Sequence, residues 1–531
     1  MKAHHIPFQK TGYFSPIICD YLDKNPKLSS FYGNFPDLAG FKKQLKLKKE
    51  SFQPNSRKVL VEALTHQYKT TKTSQKTYQN IELLSEENTF TITTGHQLNI
   101  FTGPLYFLYK IVNTINLAKH LKKEFPHQNF VPIYWMATED HDFDEINFFN
   151  LKNKKIAWNR QSSGAVGRLK TNDFDTVFEE FSKLIGTTKN ANYLKELFKN
   201  SYLKHDNLTS ATRYLVNELF GEYGLVIIDG DDVKLKQQFT PIIKDELLNN
   251  TSFKEVSKTN NELGKNYKIQ VNPREINLFY LKKDLRERII FEDNSFKVNN
   301  TTIAFSKDEL LEEVTNYPER FSPNVIMRPL FQETILPNIC YIGGGGELAY
   351  WFQLKKYFNA VKTPFPILLL RNSVVLASEK QLIKSANLNI SLEELFVKQE
   401  YLIAKKVKEI SKIEIDFSEQ KKHLEQQFIN LKELAKQTDI SFLGAVNAQE
   451  KKQLNGISNL EKRLLKAQKR KLFDVVERIT KLQNELFPNQ SLEERTRNFS
   501  EIYLELGTEF IPMLLNTLQP LQLQFSVIET H

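Results

Sequence analysis

Residues 90–149 limit the folds open to this chain more than any other part of it. They begin with an alternating segment at 90–93 and include a mostly apolar run at 131–137. Between these, apolar residues recur every three or four positions from Pro104 onward, which predicts a helix with proline at its first position. Strand, helix and strand in this order form a βαβ unit with a right-handed crossover. The sequence therefore predicts an α/β fold built on a parallel sheet.

Polar residues follow each predicted strand of this unit. Residues 94–97 (Thr-Gly-His-Gln) come after the first strand, and residues 139–142 (Glu-Asp-His-Asp) come after the second. Because ligands of an open parallel sheet bind beyond the carboxyl ends of its strands, we expect both groups at one edge of the sheet. The first group should form a tight turn at the N-terminus of the crossover helix, where free N–H groups favour phosphate. An ordinary surface turn is the alternative.

The second group surrounds one histidine with acids. These residues could ligate Mg²⁺, act as a base toward an amine, or hold the ammonium group of a substrate. A solvated acidic loop is the alternative, but such a loop rarely follows a run as apolar as residues 134–137. We therefore predict a functional role for this group.

Three more strands are predicted further along the chain. Residues 224–232 contain a buried strand that ends in aspartates, which could contact ribose hydroxyls or cap the next helix. Residues 339–342 predict another strand, followed by four glycines at 343–346 and a helix. The glycines could form a backbone nest for an anion or a flexible turn, and no Gly-Lys-Ser/Thr of a P-loop follows them. The last strand, residues 366–370, ends at Arg371.

The pattern predicts a core that is interrupted twice and followed by a hairpin. The predicted segments are an N-terminal segment with the first half of a Rossmann-like core in 1–145, a helical insertion in 146–220, a core strand in 221–235, a second insertion in 236–320, the second half of the core in 321–378, an antiparallel coiled-coil hairpin in 379–490, and a helix that packs back on the core in 491–531.

Two of these segments carry finer predictions. The second insertion contains strand-like pieces at 268–271 and 278–281, and its arginines Arg274, Arg286 and Arg288 could meet an anion or lie on a solvated face. The hairpin follows from two apolar seams at helical spacing, joined by a polar span that holds Gly444.

Composition excludes several classes of protein. The net charge of +10 could attract a polyanion, but the lysines are dispersed among glutamates and no nucleic-acid-binding motif accompanies them. No apolar run approaches the roughly 20 residues that cross a bilayer, and the first residues lack a hydrophobic signal core. The two cysteines, Cys19 and Cys340, are too few for a disulfide framework or a Cys-x-x-Cys zinc site. We expect a cytoplasmic protein with neither nucleic acid nor membrane as partner.

Several motifs, taken in order, resemble one family. They are TTGHQLNIFTGPLYFLYKI, WMATEDHDFDEIN, GLVIIDGDD, FSPNVIMRPLFQETILPNICYIGGGGELAYWFQLK and the C-terminal coiled coil. Together they span nearly the whole chain and resemble the bacillithiol biosynthesis cysteine-adding enzymes, the BshC family. The resemblance implies a Rossmann-like core akin to nucleotidylyltransferases and class I synthetases, two connecting insertions, and a coiled coil that forms a homodimer. It also implies a ligase that joins cysteine to glucosaminyl malate.

Amide formation requires an activated carboxylate, and our hypothesis is that ATP activates it, with Mg²⁺ as a second candidate cofactor. Attack at the α-phosphate would give cysteinyl-adenylate, whereas an acyl-phosphate would leave ADP. We assign the polar positions as catalytic (His96, Asp140, His141, Asp142), nucleotide-binding (Thr94, Gly95, Gln97, Asn99, Gly103, Lys110, Asp229, Asp231, Gly343, Gly344, Gly345, Gly346) and substrate-binding (Glu139, Arg328, Arg371). No residue is assigned as a dedicated metal ligand. Because no KMSKS-type lysine motif is present, Lys110, Arg328 and Arg371 are the candidates for stabilising transition-state charge.

Two other functions remain open at this point. One is a metal-dependent hydrolase that uses Asp140, His141 and Asp142. The other is a non-catalytic coiled-coil scaffold that keeps a decayed nucleotide fold. The ligase hypothesis requires His96 and Asp140 to lie at the same edge of the sheet beside a cleft.

Overall fold

The structure is a computed structural model that describes residues 2–530, apart from the side chain of residue 440. It contains two units, one with residues 2–9, 13–375 and 493–528 and the other mainly with residues 376–492. Strands β1 to β15 are, in chain order, Ala3–Ile6, Thr89–His96, Asn129–Met136, Phe148–Leu151, Lys154–Ala157, Val226–Asp229, Leu278–Lys282, Leu285–Glu292, Ser295–Val298, Ala304–Phe305, Phe321–Pro323, Asn338–Gly343, Ile367–Leu370, Val374–Ser378 and Phe525–Thr530.

Helices alternate with these strands through most of the chain. Helices α1 to α23 are, in chain order, Phe8–Thr11, Pro16–Leu22, Leu38–Ser51, Pro54–Gln67, Gln75–Leu83, Tyr106–Glu124, Phe143–Ile146, Asp175–Ile185, Lys189–Phe198, Leu208–Phe220, Val233–Asn249, Thr251–Leu263, Lys307–Asn316, Arg328–Ile335, Gly345–Trp351, Lys355–Ala360, Glu379–Asn387, Gln399–Ile410, Ser418–Ala435, Ile440–Lys471, Phe473–Leu486, Phe499–Leu506 and Phe510–Thr517.

The central sheet has the order β13-β12-β2-β3-β6, and all four neighbouring pairs are parallel. From β2 the chain proceeds outward through β3 to β6, and it then returns to β12 and proceeds outward in the other direction to β13. The sheet is therefore doubly wound, and its switch point lies between β2 and β12. All eight residues of β2 are buried, as expected of a strand covered on both faces. This arrangement confirms the predicted Rossmann-like α/β core. It places the crevice of such a fold beyond the carboxyl ends of β2 and β12.

The predicted turn at residues 94–97 is wrong, because β2 continues through His96. Residues 97–105 then form a loop with a 3-10 turn at Ile100–Thr102, in which Phe101 and Thr102 have positive φ values of 47° and 68°. Helix α6 begins only at Tyr106, so Pro104 precedes the helix. The loop therefore separates the end of β2 from the N-terminus of the crossover helix.

Both insertions differ in part from the prediction. The first contains helices α8, α9 and α10 as expected, but it opens with the antiparallel hairpin β4–β5. The second opens with α11, which Asp232 caps in line with the capping alternative for these aspartates, and with α12, which was not predicted; α11 has Pro241 in its interior, a residue that usually interrupts a helix. Its sheet has the order β10-β9-β8-β7-β11, and residues 268–271, expected as a strand, form none.

The second unit contains the predicted helical hairpin. Helices α19 and α20 run antiparallel, since the ion pairs Lys421–Glu461 and Lys432–Glu450 connect rising residue numbers on one helix with falling numbers on the other. Residues 436–439 join the helices, whereas Gly444 lies inside α20, so the predicted joining span is wrong.

In the C-terminal segment, residues 493–528 belong to the first unit. It consists of two helices, α22 and α23, and the strand β15, where a single helix was expected. Strand β15 pairs antiparallel with β1, with Ala3 opposite Ile528 and Ile6 opposite Phe525. No helix within residues 2–530 has both the length and the apolar character that a membrane span requires.

Candidate active site

A cavity of about 810 Å³ lies at the predicted edge of the central sheet. It is lined by residues at the carboxyl ends of β2, β3 and β12 and by residues from the second insertion. His96 and Asp140 both line it, as the ligase hypothesis requires. The predicted site residues that line this cavity are Gly95, His96, Gln97, Lys110, Glu139, Asp140, His141, Arg328, Gly344, Gly345, Gly346 and Arg371.

The other predicted residues lie outside the main cavity. The Thr94 hydroxyl donates to the carbonyl of Ile342 (2.8 Å) within the sheet, and Gly343 is the last residue of β12. Asp142 is exposed and does not line the cavity. Asn99 and Gly103 line a second, smaller cavity.

The two predicted aspartates at the end of β6, Asp229 and Asp231, both contact other side chains of the protein. Asp229 is largely buried and accepts a hydrogen bond from the Thr138 hydroxyl (2.5 Å), and burial raises its pKa to about 6. Asp231 pairs with Lys236 and Arg168, each at 2.8 Å. Both carboxylates therefore have protein partners in the fold.

Lys110, which is buried, and Glu347, which is half-buried, form an ion pair at the switch point. The Lys110 ammonium lies 2.6 Å from Glu347 Oε2 and donates to the carbonyl of Gly95 (2.7 Å). Burial would raise the pKa of Glu347, but Lys110, the N–H of Gly344 and the Tyr341 hydroxyl together lower it. Glu347 is therefore ionised, and it compensates the positive charge of Lys110.

Glu347 also changes the role of the glycine run. Its Oε2 accepts the N–H of Gly344 (2.7 Å), so the side chain caps α15 from within the chain. None of the four glycines has a positive φ; at Gly343, a Cβ would come within 3.0 Å of the Tyr341 ring. The close approach of the Tyr341 ring thus explains why residue 343 is glycine. At Gly344, the Glu347 carboxylate already accepts the backbone N–H that an anion nest would offer to a ligand.

Asp140 is held by Gln97, and Gln97 also reaches a second acid. The Gln97 amide nitrogen donates to Asp140 Oδ2 (2.9 Å) and to Glu145 Oε2 (2.7 Å), while Asp140 Oδ1 accepts the N–H of His141 (2.8 Å). Arg286 lies 2.5 Å from His141 Nδ1. Since a guanidinium can only donate, this nitrogen accepts, and burial together with Arg286 lowers the pKa of His141. His141 is therefore neutral, with its proton on Nε2.

These contacts do not form a metal site. Among the described residues, no three His, Cys, Asp or Glu side chains are arranged to hold a metal ion. The Asp140–His141–Asp142 sequence does not converge on one point, because Asp142 is outside the cavity and His141 faces Arg286. The hydrolase hypothesis, which needs these three residues as ligands, loses its geometric basis.

Comparison with known proteins agrees with the architecture. A family model described as the N-terminal Rossmann-like domain of bacillithiol biosynthesis BshC matches residues 1–372, and one for its C-terminal coiled-coil domain matches residues 374–530. The chain belongs to the BshC family. A relative from Flavobacterium johnsoniae is 57% identical, with 99% of this chain and 100% of the relative aligned, and one from Flavobacterium psychrophilum is 58% identical over 100% of both. A Bacillus cytotoxicus relative is 28% identical over 93% of this chain and 94% of its own.

All three relatives are named BshC and described as proposed cysteine ligases. The chain is thus a member of a ligase family that acts in bacillithiol biosynthesis, and the resemblance found from its motifs is confirmed.

In this BshC-family chain, the arginines of the second insertion do line the cavity. These are Arg274, Arg286 and Arg288. A fourth arginine, Arg495, also lines the cavity and was not predicted from the sequence. Arg495 follows the coiled coil, far from the other site residues, and no local motif marks it. Glu347 was also missed, although a glutamate three residues after the N-cap residue, here Gly344, is a known capping signal. The cavity is therefore richer in guanidinium groups than the motifs alone indicated.

His96 is neutral and has an unsatisfied ring nitrogen. Its side chain is nearly buried against Phe107, and its Nε2 has no hydrogen-bond partner among the described residues. Burial, with Lys110 and Arg371 adding to it, lowers the pKa of His96 well below 6.5. The ring therefore offers a neutral nitrogen to a ligand in the cavity.

We expect the His96 side chain to make the fold sensitive to acid. Because its pKa is lowered in the folded state, the unfolded chain binds the proton more tightly, and stability falls as the pH drops below 6.5. Between pH 7 and pH 5, wild-type protein should lose about 1–2 kcal/mol more unfolding free energy than His96→Gln. Urea unfolding at several pH values measures this difference; His141 contributes equally to both proteins. Parallel pH profiles would contradict the assignment.

Proposed function

We propose that this chain joins cysteine to the glucosamine amine of glucosaminyl malate, giving bacillithiol, and that ATP activates the cysteine carboxylate. Membership of the BshC family supports the pathway. One observation carries the mechanism: a single cavity at the switch point combines the carboxylates of Glu139, Asp140 and Glu145 with several arginines. Such a cavity can hold anionic substrates and accept a proton from an amine.

The arginines match the charges of the proposed substrates. Glucosaminyl malate carries two carboxylates and ATP carries three phosphates, and guanidinium groups bind both kinds of anion through paired donors. Arg328 and Arg371 line the main cavity together with Lys110 and Glu347. Arg286 lies beside Asp140 and His141 instead. We assign Arg328 and Arg371 to the phosphates of ATP. We assign the arginines of the second insertion to the carboxylates of the malate group.

The reaction then has two steps. A carboxylate oxygen of cysteine attacks the α-phosphorus, an O–P bond forms, and pyrophosphate leaves. The amine of glucosaminyl malate attacks the acyl carbon, the C–N bond forms, AMP leaves, and Asp140 accepts the amine proton. Lys110, Arg328 and Arg371 stabilise the charge that develops on the phosphoryl and acyl oxygens, as preorganised donors do.

Mg²⁺ has no ready-made ligand set in the described residues. Magnesium commonly binds through substrate phosphates and water with few protein ligands. We therefore assign any Mg²⁺ to the phosphates of the nucleotide.

The activation step predicts the nucleotide product. Incubation of the purified protein with ATP, cysteine and glucosaminyl malate should release AMP in a one-to-one ratio with bacillithiol, measured by liquid chromatography. Omission of cysteine should abolish AMP release and serves as control. Release of ADP would show an acyl-phosphate and overturn the adenylate step, while leaving the ligase function intact.

Profiling of low-molecular-weight thiols tests the function itself. Cells that lack this protein should accumulate glucosaminyl malate and contain no bacillithiol, and a plasmid copy should restore it. Normal bacillithiol in these cells would overturn the proposed function and favour the scaffold hypothesis.

We further assign a homodimer and a cytoplasmic location. Support for the dimer comes from apolar side chains exposed on the hairpin, among them Ile429, Leu434 and Phe442. The interior of the hairpin uses other residues, Phe428, Ala435 and Val446. The exposed side chains are therefore available to a second copy. The cytoplasm is where a thiol biosynthetic enzyme finds a reducing environment and ATP.

A further inference from the structure

A second cavity of about 400 Å³ adjoins the main one. The two cavities share the wall residues Gln97, Tyr106, Glu145 and Arg495. We propose that the smaller cavity binds an α-amino acid as its zwitterion. Under the proposed function, on which this identification rests, the amino acid is cysteine.

Charge selects this class of ligand. Asp144 and Glu145 can pair with an ammonium group, and Arg495 can pair with a carboxylate. A malate group or a triphosphate would meet two carboxylates and one guanidinium in this cavity, which is the wrong balance for a polyanion. The main cavity has the opposite balance, with arginines in excess. The polyanions therefore belong to the main cavity and the zwitterion to the smaller one.

Asn99 gives independent support. This side chain lines the smaller cavity and is only 9% exposed, and its Oδ1 has no hydrogen-bond partner among the described residues. Its Nδ2 donates to the carbonyl of Glu145 (2.9 Å), which fixes the orientation of the amide. A buried acceptor without a partner is costly to the fold, and an ammonium N–H from a ligand would satisfy it.

The loop after β2 holds Asn99 in place. A Cβ at Gly103 would lie 2.6 Å from the Cβ of Asn99, and Gly103 has a φ of +61°. Glycine is therefore required for the loop to approach Asn99 this closely. Phe101 and Thr102 also adopt positive φ, and strained backbone of this kind tends to occur where a ligand is bound.

The smaller cavity also suits the side chain and the reaction. Pro104, Phe148 and Phe149 provide apolar surface for a short thiol side chain. Arg495 stands on the wall shared with the main cavity, so a carboxylate bound to it faces the nucleotide. Gln97 connects Glu145 of the smaller cavity with Asp140, the proposed base. The amino acid would thus present its carboxylate where activation and amine attack take place.

Steady-state kinetics of the full-length protein tests the assignment. Arg495→Gln and Asp144→Asn each remove one charge from an exposed side chain, so the fold is expected to tolerate them. Each should raise the KM for cysteine about tenfold or more and leave the KM values for ATP and glucosaminyl malate within about twofold. Arg288→Gln, an exposed arginine of the main cavity, is the matched control and should show the reverse pattern.

Calorimetric titration with L-cysteine alone separates this proposal from the proposed function. Wild-type protein should bind L-cysteine about tenfold or more tightly than Arg495→Gln. If Arg495→Gln changes neither binding nor any KM while wild type makes bacillithiol, the subsite is wrong and the function stands. If L-cysteine binding depends on Arg495 but no ligation occurs, the function is wrong and the subsite stands.

Discussion

Replacement of Arg371 by methionine should lower the free energy of unfolding by about 3–5 kcal/mol, the range for a broken buried ion pair. The Arg371 guanidinium lies 2.7 Å from Glu494 Oε1, and the two side chains are 5% and 0% exposed. Glu494 Oε2 accepts the N–H of Val374 (3.0 Å), so the carboxylate cannot turn toward water. Without Arg371 the fold would bury an uncompensated charge. Chemical denaturation of the purified variant measures the loss.

Two variants serve as controls for this prediction. Arg495→Gln removes an exposed arginine from the same segment as Glu494 and should change stability by no more than about 0.5 kcal/mol. The double variant Arg371→Met with Glu494→Gln removes both charges and should recover much of the lost stability. A loss below about 1 kcal/mol in Arg371→Met would show that the pair is not desolvated as the structure indicates.

The Arg371–Glu494 pair also explains why the chain returns after its coiled coil. Glu494 belongs to residues 493–528, and Arg371 follows β13 at the sheet edge that forms the cavity. Two residues after Glu494, the backbone carbonyl of Thr496 accepts a hydrogen bond from the side-chain amide of Asn150 (3.1 Å). Arg495 is held between these two anchors. The returning segment therefore supplies a cavity residue and the buried charge that keeps it in position.

The sheet and its edge could be predicted because their signals are local. Strands β3, β6 and β12 are buried on both faces and appear as apolar runs, and the rule for parallel sheets then places Gly95, His96 and Asp140 at one edge. The loop of residues 97–105 could not be predicted in the same way. Phe101 and Thr102 are not residues that usually form turns, yet both have positive φ, so the helix start was placed too early.

The errors at the site come from partners distant in sequence. Asp229 and Asp231 look like free ligands in the sequence, but Thr138, Lys236 and Arg168 occupy them in the fold. No spacing rule reports those contacts. Glu347 differs, because its position three residues after Gly344 was a readable capping signal. Sequence reasoning thus located the edge of the sheet, whereas the distribution of charges around the cavity required coordinates.

Neutralising Asp140 should reduce the kcat of ligation by about 10²- to 10⁴-fold, the usual contribution of a general base. Asp140→Asn keeps the size of the side chain and an oxygen for the Gln97 amide, so the cavity should retain its shape. KM values should change little, because the base acts on the amine proton after the substrates are bound. Quenched-flow or steady-state assays of bacillithiol formation measure the loss.

Asp142→Asn is the matched control, because it removes the same charge two positions away in the chain. Asp142 is exposed and lies outside the cavity, so its neutralisation should alter kcat by less than about twofold. Equal losses in the two variants would mean that the acidic segment acts through its total charge, and Asp140 would lose its role as base. A loss confined to Asp142→Asn would place the chemistry outside the cavity altogether. The contrast between two carboxylates that lie two positions apart therefore tests position, since charge and residue type are the same in both.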